Sequence, residues 1–402
     1  MNSPSVDLLD EAVLASPYAA FEELRAAGPV HHQPSLDLYF VLDHGAIREV
    51  LDDPDTYSSH LVAVLQRMGD GVSLPASDVI PAGADVLAIA DPPAHTAHRK
   101  LVQPTFSRRE VQNLTEAIDD EVTSRMDAFV AGGGGDFMAT VASPVPVRVI
   151  SRILGLPEQD ADRLVRWSDM AVELLGGLAD ADRLEVIFEE IAGFMVYLGE
   201  RLDDGSAGVI GDVRGAVEGG QLTRDEAVGL LAQLVAAGTE STTSLLGSSV
   251  RIMACDEELQ SHLRADPGLI DDLIDESLRL ESPFRGHFRV ATCDATLGGT
   301  RIPAGGRLML LWGAANRDPR RYEEPERFEL GRPSGKGHLG FGRGIHFCLG
   351  AHLARLEAQR TIERLLQLTA DIHLWAGHED SYHPSLLIRR LENLFLSVTP
   401  RP

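Results

Sequence analysis

The stretch that decides the fold is residues 341–350, which read Phe341-Gly342-Arg343-Gly344-Ile345-His346-Phe347-Cys348-Leu349-Gly350. The glycines at positions 342 and 344 can adopt positive φ angles, so the loop can turn tightly and bring its amides near a sulfur atom. Apolar residues recur at helical spacing after Cys348, which predicts that the cysteine lies at the start of a helix. The unpaired N–H groups and the positive dipole end of a helix start favour a thiolate over a thiol.

A lone thiolate narrows the choice of cofactor. A structural zinc site uses four protein ligands, and no second cysteine lies near Cys348 in the sequence. A thiolate suits an iron whose other ligands come from a porphyrin, because it pushes electron density onto the metal. The alternative is a buried apolar cysteine on an ordinary helix.

The stretch also has a familiar pattern. Together with its continuation Ala351-His352-Leu353-Ala354-Arg355-Leu356-Glu357, it resembles the haem-binding signature of the cytochrome P-450 monooxygenases. The resemblance implies that Cys348 is the axial thiolate ligand of haem b, and that Phe341, His346 and Gly350 contact the cofactor. It also implies a mainly α protein with small β-sheets, in which residues 1–402 form a single cytochrome P-450 domain with a long central helix over the haem.

Composition limits the partners of the chain. Of its 402 residues, 36 are basic and 61 acidic, and the net charge of −25 argues against nucleic acid or an anionic membrane as a partner. Three well-separated cysteines (Cys255, Cys293 and Cys348) fit a reducing cytoplasm. Residues 1–10 lack the features of a signal peptide, and no apolar run approaches the ~20 residues that span a bilayer. We therefore expect a soluble, cytoplasmic protein, and a monomer.

Two side chains near the middle of the N-terminal half predict an anion site. His95 and Arg99 follow Pro92-Pro93 and lie four residues apart, on one face of a predicted helix. Such a pair can bind a carboxylate, although it is more often a solvated face. The resemblance implies that His95 and Arg99 bind a haem propionate, together with His346 and Arg289; register favours Arg289 over Arg285.

A long helix is predicted to cross the molecule. Thr223 and Glu226 form a capping box, and the helical pattern continues to about Ala254, a length of ~45 Å. The small residues Ala236, Ala237 and Gly238 in its middle would allow a flat group to lie against the backbone. A Gly in a helix interior costs ~1 kcal/mol relative to Ala, so its presence calls for a reason. The alternative is a close helix contact.

The next turn of this helix carries an acid followed by hydroxyl groups. Glu240 and Ser241 match the acid–alcohol pair that delivers protons to bound oxygen in the resembled family. Serine stands where the family usually has threonine and lacks the methyl group that restrains the rotamer. Thr242 therefore remains an alternative source of the hydroxyl.

A second helical pair matches a structural motif of the family. Glu276 and Arg279, three residues apart, resemble its buried Glu-x-x-Arg, which supports the haem-binding loop. Taken alone, such a pair is common on surfaces. We predict Arg327 as the third member of this cluster, with Arg332 as the alternative.

The resemblance also implies which parts of the chain contact the substrate. Residues 58–90 and 172–182 are expected to be substrate-covering loops. The predicted pocket is mostly apolar, which implies a lipophilic small molecule such as a terpenoid, polyketide, peptide or fatty acid, and bacterial secondary metabolism. Its predicted lining residues are Leu61, Val62, Ala236, Phe284, His287, Leu386 and Leu387.

The electron source is expected to be external. The sequence has no flavin- or iron–sulfur-binding motif, so the resemblance implies a separate ferredoxin and an NAD(P)H-driven ferredoxin reductase, with O2 as co-substrate. A positive docking surface for the acidic ferredoxin is predicted from Arg99, Lys100, Arg108, Arg109, Arg343, Arg355 and Arg360. Alternatives are a peroxide-driven or oxidative-coupling haem-thiolate enzyme, and a non-catalytic haem sensor.

Overall fold

The computed structural model describes residues 6–60, 62–65, 73–75, 85–204, 207–333 and 335–401. Helices dominate these ranges, and four small sheets accompany them. Within the described residues, no helix combines the length and the apolar character that crossing a membrane requires.

The helices are, in chain order, α1 (Glu11–Ala15), α2 (Tyr18–Ala27), α3 (His44–Asp52), α4 (Ala94–Val102), α5 (Arg108–Asn113), α6 (Thr115–Ala131), α7 (Pro144–Leu154), α8 (Ala161–Gly176), α9 (Ala181–Asp203), α10 (Val209–Glu218), α11 (Arg224–Ala254), α12 (Glu257–Ala265), α13 (Ile270–Leu280), α14 (Trp312–Ala315) and α15 (Ala351–Leu368). The strands are β1 (Val30–Gln33), β2 (Leu38–Val41), β3 (Tyr57–Ser58), β4 (Ala63–Leu65), β5 (Ser73–Pro75), β6 (Gly134–Asp136), β7 (Gly286–Ala291), β8 (Ala295–Leu297), β9 (Thr300–Ile302), β10 (Arg307–Leu311), β11 (Thr369–Leu374) and β12 (Phe395–Pro400).

The 31-residue helix α11 is the centre of the fold, as its sequence predicts. The capping box is present: Thr223 accepts from the Glu226 amide, and the Glu226 carboxylate accepts from the Thr223 amide. Most of the side chains of α11 are buried, because α7, α8, α9, α13 and α15 pack around it. A helix that is apolar on nearly all sides is stable only inside a protein.

The largest sheet forms one wall of the interior. Its strand order is β1-β2-β10-β7-β3, and only the β2–β10 pair is parallel. In the β7–β10 register, His287 lies opposite Leu310 and Arg289 lies opposite Leu308. Because side chains alternate along a strand, His287 and Arg289 project from the same face.

The smaller sheets lie at other parts of the fold. Strand β12 pairs with β11 on one side and with β6 on the other, and this sheet joins the C-terminus to α6 and α15. Two further antiparallel pairs are formed by β4 with β5 and by β8 with β9.

The two segments expected to cover the substrate contain helices and strands in the regions described, rather than loop alone. Segment 172–182 is mainly helical, since α8 extends to Gly176 and α9 begins at Ala181. The backbone of segment 58–90 forms the β4–β5 hairpin and ends in a 3₁₀ turn, Leu87–Ile89. Leu61 and residues 66–72 and 76–84 lie outside the described residues.

Candidate functional site

A cavity of about 1380 Å³, measured with its open mouth, lies between α11, α4, β7 and the cysteine loop. Thirteen of the residues singled out in the sequence line it, from four separate parts of the chain: His95, Arg99, Ala237, Gly238, Ser241, Thr242, Phe284, His287, Arg289, Phe341, His346, Cys348 and Gly350. The fold therefore brings the predicted thiolate, the predicted propionate ligands and the small-residue turn of α11 to one space.

The cysteine loop turns as its glycines predict. Gly342 and Gly344 have φ angles of +66° and +70°, and the Cys348 amide donates to the Phe341 carbonyl at 2.8 Å. Helix α15 begins only at Ala351, so Cys348 precedes the helix rather than starting it.

The electrostatics of the sulfur differ from the sequence prediction. Burial raises the pKa of the Cys348 thiol, and the Gly350 amide and Arg99 offset that rise only in part. The helix start alone therefore does not make a thiolate here. A bound metal cation would, because coordination removes the proton from a thiol.

One edge of the cavity is rich in positive charge and N–H donors. Arg99 and Arg289 lie there, and burial lowers the pKa of Arg289 to about 10. His95 Nε2 is buried and has no hydrogen-bond partner among the described residues, and the His95 ring lies 4.2 Å from that of His346. Burial and the neighbouring Arg289 lower the pKa of His346 to about 3, so this histidine is neutral. We call Arg99, Arg289, His95 and His346 the cationic rim.

Asp91, the carboxylate that acts electrostatically on Arg289, is hydrogen-bonded to other groups. Asp91 accepts from the Ser59 amide at 2.8 Å and from the Ser58 hydroxyl. The Ser59 hydroxyl in turn lies 2.9 Å from His346 Nε2. The two arginines of the rim therefore face the cavity as largely uncompensated charges, which an entering dianion would neutralise.

The residues present fit a haem. The cavity offers a buried sulfur and, on α11, the backbone at Ala237 and Gly238 that a flat group could approach. A Cβ at Gly238 would lie 2.9 Å from the Ile150 side chain, so glycine allows α11 to pack closely on α7. A flat, mainly apolar molecule with two carboxylates and a thiol-binding metal matches the sulfur, the apolar walls and the cationic rim together.

The acid and the hydroxyls of α11 face different directions. Ser241 and Thr242 line the cavity, and the Ser241 hydroxyl donates to the Ala237 carbonyl at 2.9 Å. Glu240 is buried outside the cavity lining, where Arg390 donates to its Oε2 at 2.8 Å. Arg390 also donates to Asp169 of α8 at 2.7 Å. Burial raises the pKa of Glu240 to about 6, although Arg390 opposes the rise.

Comparison with known proteins gives the family. A family model described as Cytochrome P450 matches residues 212–368. Cytochrome P450 144 of Mycobacterium tuberculosis (strain ATCC 25618 / H37Rv) is 39% identical over 390 residues, which are 95% of this chain and 89% of that protein. The chain belongs to the cytochrome P450 family.

Solved structures agree with this assignment. Cytochrome P450 CREJ, in complex with (4-ethylphenyl) dihydrogen phosphate, superposes with a TM-score of 0.89 at 27% identity, over 99% of each chain. HmtN, a post-tailoring hydroxylase involved in himastatin biosynthesis, has a TM-score of 0.81 at 29% identity, over 96% of this chain and 98% of its own. The P450 fold and an oxidoreductase of the monooxygenase family, both expected from the sequence, are confirmed.

The buried Glu–Arg cluster of this P450 is present, but its third member differs from the prediction. Arg279 donates twice to Glu276, at 2.7 and 2.8 Å. The second arginine on Glu276 is Arg332, at 3.0 Å, whereas the Arg327 side chain is exposed and pairs with Glu324. Arg327 contributes only its carbonyl oxygen, which accepts from Arg279 and Arg332. The path of the chain around Arg332, which turns its side chain inward, decides the choice.

Four of the residues predicted for the substrate pocket lie outside the cavity lining of the P450. Leu386 and Leu387 are buried in an apolar cluster with Val172, because the C-terminal segment packs on α8. Ala236 lies one helical step, about 100°, from the lining residue Ala237. Val62 is 40% exposed.

Other residues line the cavity although the sequence did not predict them to do so. Gln233 lies one turn before Ala237 on the same face of α11, a periodicity that would have identified it. Trp312 directly follows β10, and no pattern in the neighbouring sequence predicts that it lines the cavity. Leu87 also lines the cavity, with a φ of +43°, and its amide donates to His98 Nδ1 at 3.3 Å.

Proposed function

We propose that this P450 is a haem-thiolate monooxygenase that inserts one oxygen atom of O2 into a lipophilic small molecule. The observation that carries the proposal is the cavity itself, in which the Cys348 thiol, the small residues of α11 and the cationic rim meet. When bound, the haem supplies the activation of O2. A neighbour of known structure is a hydroxylase involved in himastatin biosynthesis, which supports a role in bacterial secondary metabolism.

The residues of this chain would hold the cofactor from two sides. Cys348 would supply the thiolate ligand, since it is the cysteine that lines the cavity, while Cys255 and Cys293 are exposed. Arg99, Arg289, His95 and His346 would bind the two propionates. Two guanidinium charges against two carboxylates leave the rim neutral, and buried charges require such pairing.

The proton path would use side chains on both faces of α11. Ser241 or Thr242 would supply the hydroxyl donor on the cavity side, because both residues line the cavity. For Ser241 this requires its hydroxyl to leave the Ala237 carbonyl, to which it donates at 2.9 Å. Glu240 would pass protons from the far side of the helix, and its raised pKa of about 6 makes it able to gain and lose a proton near neutral pH. Arg390 would position Glu240 by holding its carboxylate.

The substrate would be mostly apolar. On the α11 side the cavity is walled by Leu234, Leu245 and Ile150, and Phe106 and Leu87 extend this surface. Burial of apolar surface would contribute most of the binding free energy, at about 25 cal/mol per Å².

Electrons would come from a separate ferredoxin and its NAD(P)H-driven reductase. Of the basic residues predicted to form the dock, Arg343, Arg355 and Arg360 are paired with Asp52, Asp275 and Asp119. Arg99 lines the cavity. The dock proposed here is therefore reduced to the exposed residues Lys100 of α4 and Arg108 and Arg109 of α5. Arg109 lies 3.9 Å from Glu110, but its side chain is 90% exposed.

Neutralising this dock tests it. In the double variant Arg108→Gln/Arg109→Gln, we expect the second-order rate of reduction by an acidic ferredoxin to fall and its dependence on salt to flatten. The control is Arg214→Gln in α10; the Arg214 side chain is 40% exposed and pairs with Glu218. Equal salt dependence in all three proteins would contradict the proposed dock.

The absorption spectrum of the reduced, carbon-monoxide-bound protein tests whether Cys348 binds haem as a thiolate. We expect a Soret band at the long wavelength typical of thiolate-bound haem, which Cys348→Ala abolishes. Cys255→Ala and Cys293→Ala are matched controls and should retain the band. A spectrum of histidine-ligated haem in the wild-type protein would refute the proposal. Turnover with NADPH and surrogate redox partners then separates a monooxygenase from a non-catalytic haem sensor.

A further inference from the structure

A tryptophan and a histidine form a hydrogen bond in the wall of the cavity. Trp312 Nε1 donates to His287 Nδ1 at 3.0 Å, and both residues line the cavity. The paired strands β7 and β10 bring them together. Phe284 packs on the histidine at 5.3 Å between ring centres, so the imidazole is held from two directions.

This bond determines where the histidine carries its proton. An indole N–H can only donate, so His287 Nδ1 must be the acceptor. A neutral imidazole with an acceptor at Nδ1 carries its hydrogen on Nε2. Burial, with a smaller contribution from Arg289, lowers the pKa of His287 to about 4, so the ring is neutral at physiological pH. His287 is therefore a neutral donor of fixed tautomer.

The Nε2–H group of His287 is unpaired among the residues that the structure describes. In the part of the chain that the structure describes, no acceptor lies within hydrogen-bond distance of His287 Nε2. His287 shares its strand face with Arg289, two residues along β7, and both line the cavity. A negatively charged oxygen beside Arg289 is thus the acceptor that the local charge favours.

We propose that His287 is an additional carboxylate-binding residue of the cavity, held as a fixed Nε2–H donor by Trp312. The carboxylate is either a haem propionate or that of a bound substrate. The proposal rests on the proposed haem-binding function and extends the cationic rim by a neutral donor that the family signature does not specify.

Two nearly isosteric substitutions test the donor. His287→Asn keeps an oxygen that can accept from Trp312 but has no donor at the Nε2 position, whereas His287→Gln places an amide N–H close to that position. His287→Phe removes both functions, and Trp312→Phe removes only the bond that fixes the tautomer. His262→Gln, on the exposed face of α12, is the control.

Two measurements distinguish the two carboxylates. The first is the rate of haem transfer to excess apomyoglobin, together with the reduction potential of the haem, both without substrate. The second is the affinity for hexadecanoate relative to its methyl ester, from the ligand-induced spectral shift. Both are made on the haem-loaded protein, and neither depends on turnover.

The expected results differ between a haem propionate and a substrate carboxylate. For a propionate, haem loss should be about tenfold or more faster in His287→Asn and His287→Phe than in the wild type, with a lower potential, and within about twofold in His287→Gln. For a substrate carboxylate, haem loss stays constant, and the preference for the acid over the ester falls about tenfold in the same two variants. Trp312→Phe should give an intermediate loss in either case.

One result overturns the proposal: both measurements are the same in His287→Asn and His287→Gln. The comparison survives if His287→Phe fails to fold, because the two amide variants are polar and similar in size. Failure of the proposed function would be recognised separately, since the wild-type protein would then lack the spectrum of a thiolate-bound haem.

Discussion

Arg332, unlike Arg327, is expected to stabilise the buried cluster around Glu276. Its side chain is 4% exposed; it donates to Glu276 at 3.0 Å and to the carbonyls of Glu323 and Arg327 at 2.6 and 2.8 Å. In Arg332→Met these three bonds are lost, while Glu276 keeps both bonds from Arg279. The retained partner prevents an uncompensated buried charge, so the loss lies near the lower end of the range for a broken buried pair, about 3 kcal/mol.

Arg327→Met is the matched control. The Arg327 side chain is 70% exposed, and its partner Glu324 is 67% exposed. A surface pair of this kind contributes little, so we expect a change within about 0.5 kcal/mol. The assay is urea unfolding followed by circular dichroism on protein of equal haem content, compared at the midpoint. If Arg327→Met destabilises the protein as much as Arg332→Met, the assignment of Arg332 to the cluster is refuted.

Two further predictions concern α11 and the cysteine loop. In Arg390→Met the pKa of Glu240 should rise above its value of about 6, because the opposing positive charge is removed while burial remains. Glu240 should therefore stay protonated up to a higher pH. Infrared difference spectra of the carboxyl band, assigned with Glu240→Gln, measure the titration midpoint, and an unchanged midpoint contradicts the prediction. Gly344→Ala should destabilise the protein and lower its haem content, since φ is +70° and the new Cβ would lie 2.8 Å from the Leu51 carbonyl oxygen. The left-handed conformation alone costs about 1–2 kcal/mol. Gly193→Ala is the control and should not destabilise the protein, because Gly193 lies inside α9 and a Cβ there would contact no atom within 4 Å outside the neighbouring part of the helix. If urea unfolding shows the same loss of stability in both variants, the role of the loop conformation is contradicted.

The sequence predicted features whose signals are local. The capping box at Thr223 and the apolar run behind it predicted α11 and its length, because both depend on residues within a few turns. The glycines at 342 and 344 predicted the tight loop, since their positive φ angles are a property of the residue type. His95 and Arg99 were placed on one helix face by spacing alone, and α4 confirms this.

The sequence could not predict which residue takes a role when that role depends on partners far away in the chain. Arg327 and Arg332 lie five residues apart in an irregular segment, and only the fold, by turning Arg332 toward Glu276, distinguishes them. Leu386 and Leu387 are apolar wherever they lie, so their packing on α8 rather than on the cavity could not be predicted.

The sequence by itself thus determined which chemical groups the site contains: the thiol, the acid, the hydroxyls and the arginines of the rim. Each group is a property of its residue type, and the helix or loop that carries it depends on residues nearby in the chain. Tertiary structure alone decided the direction and environment of each group. Burial raises the pKa of the Cys348 thiol against the expected effect of a helix start, and Glu240 turns away from the cavity toward Arg390, 150 residues along the chain. Trp312 fixes the tautomer of His287 through a strand pairing. Desolvation, charge and hydrogen bonding act through space, and which groups become neighbours depends on how the whole chain packs.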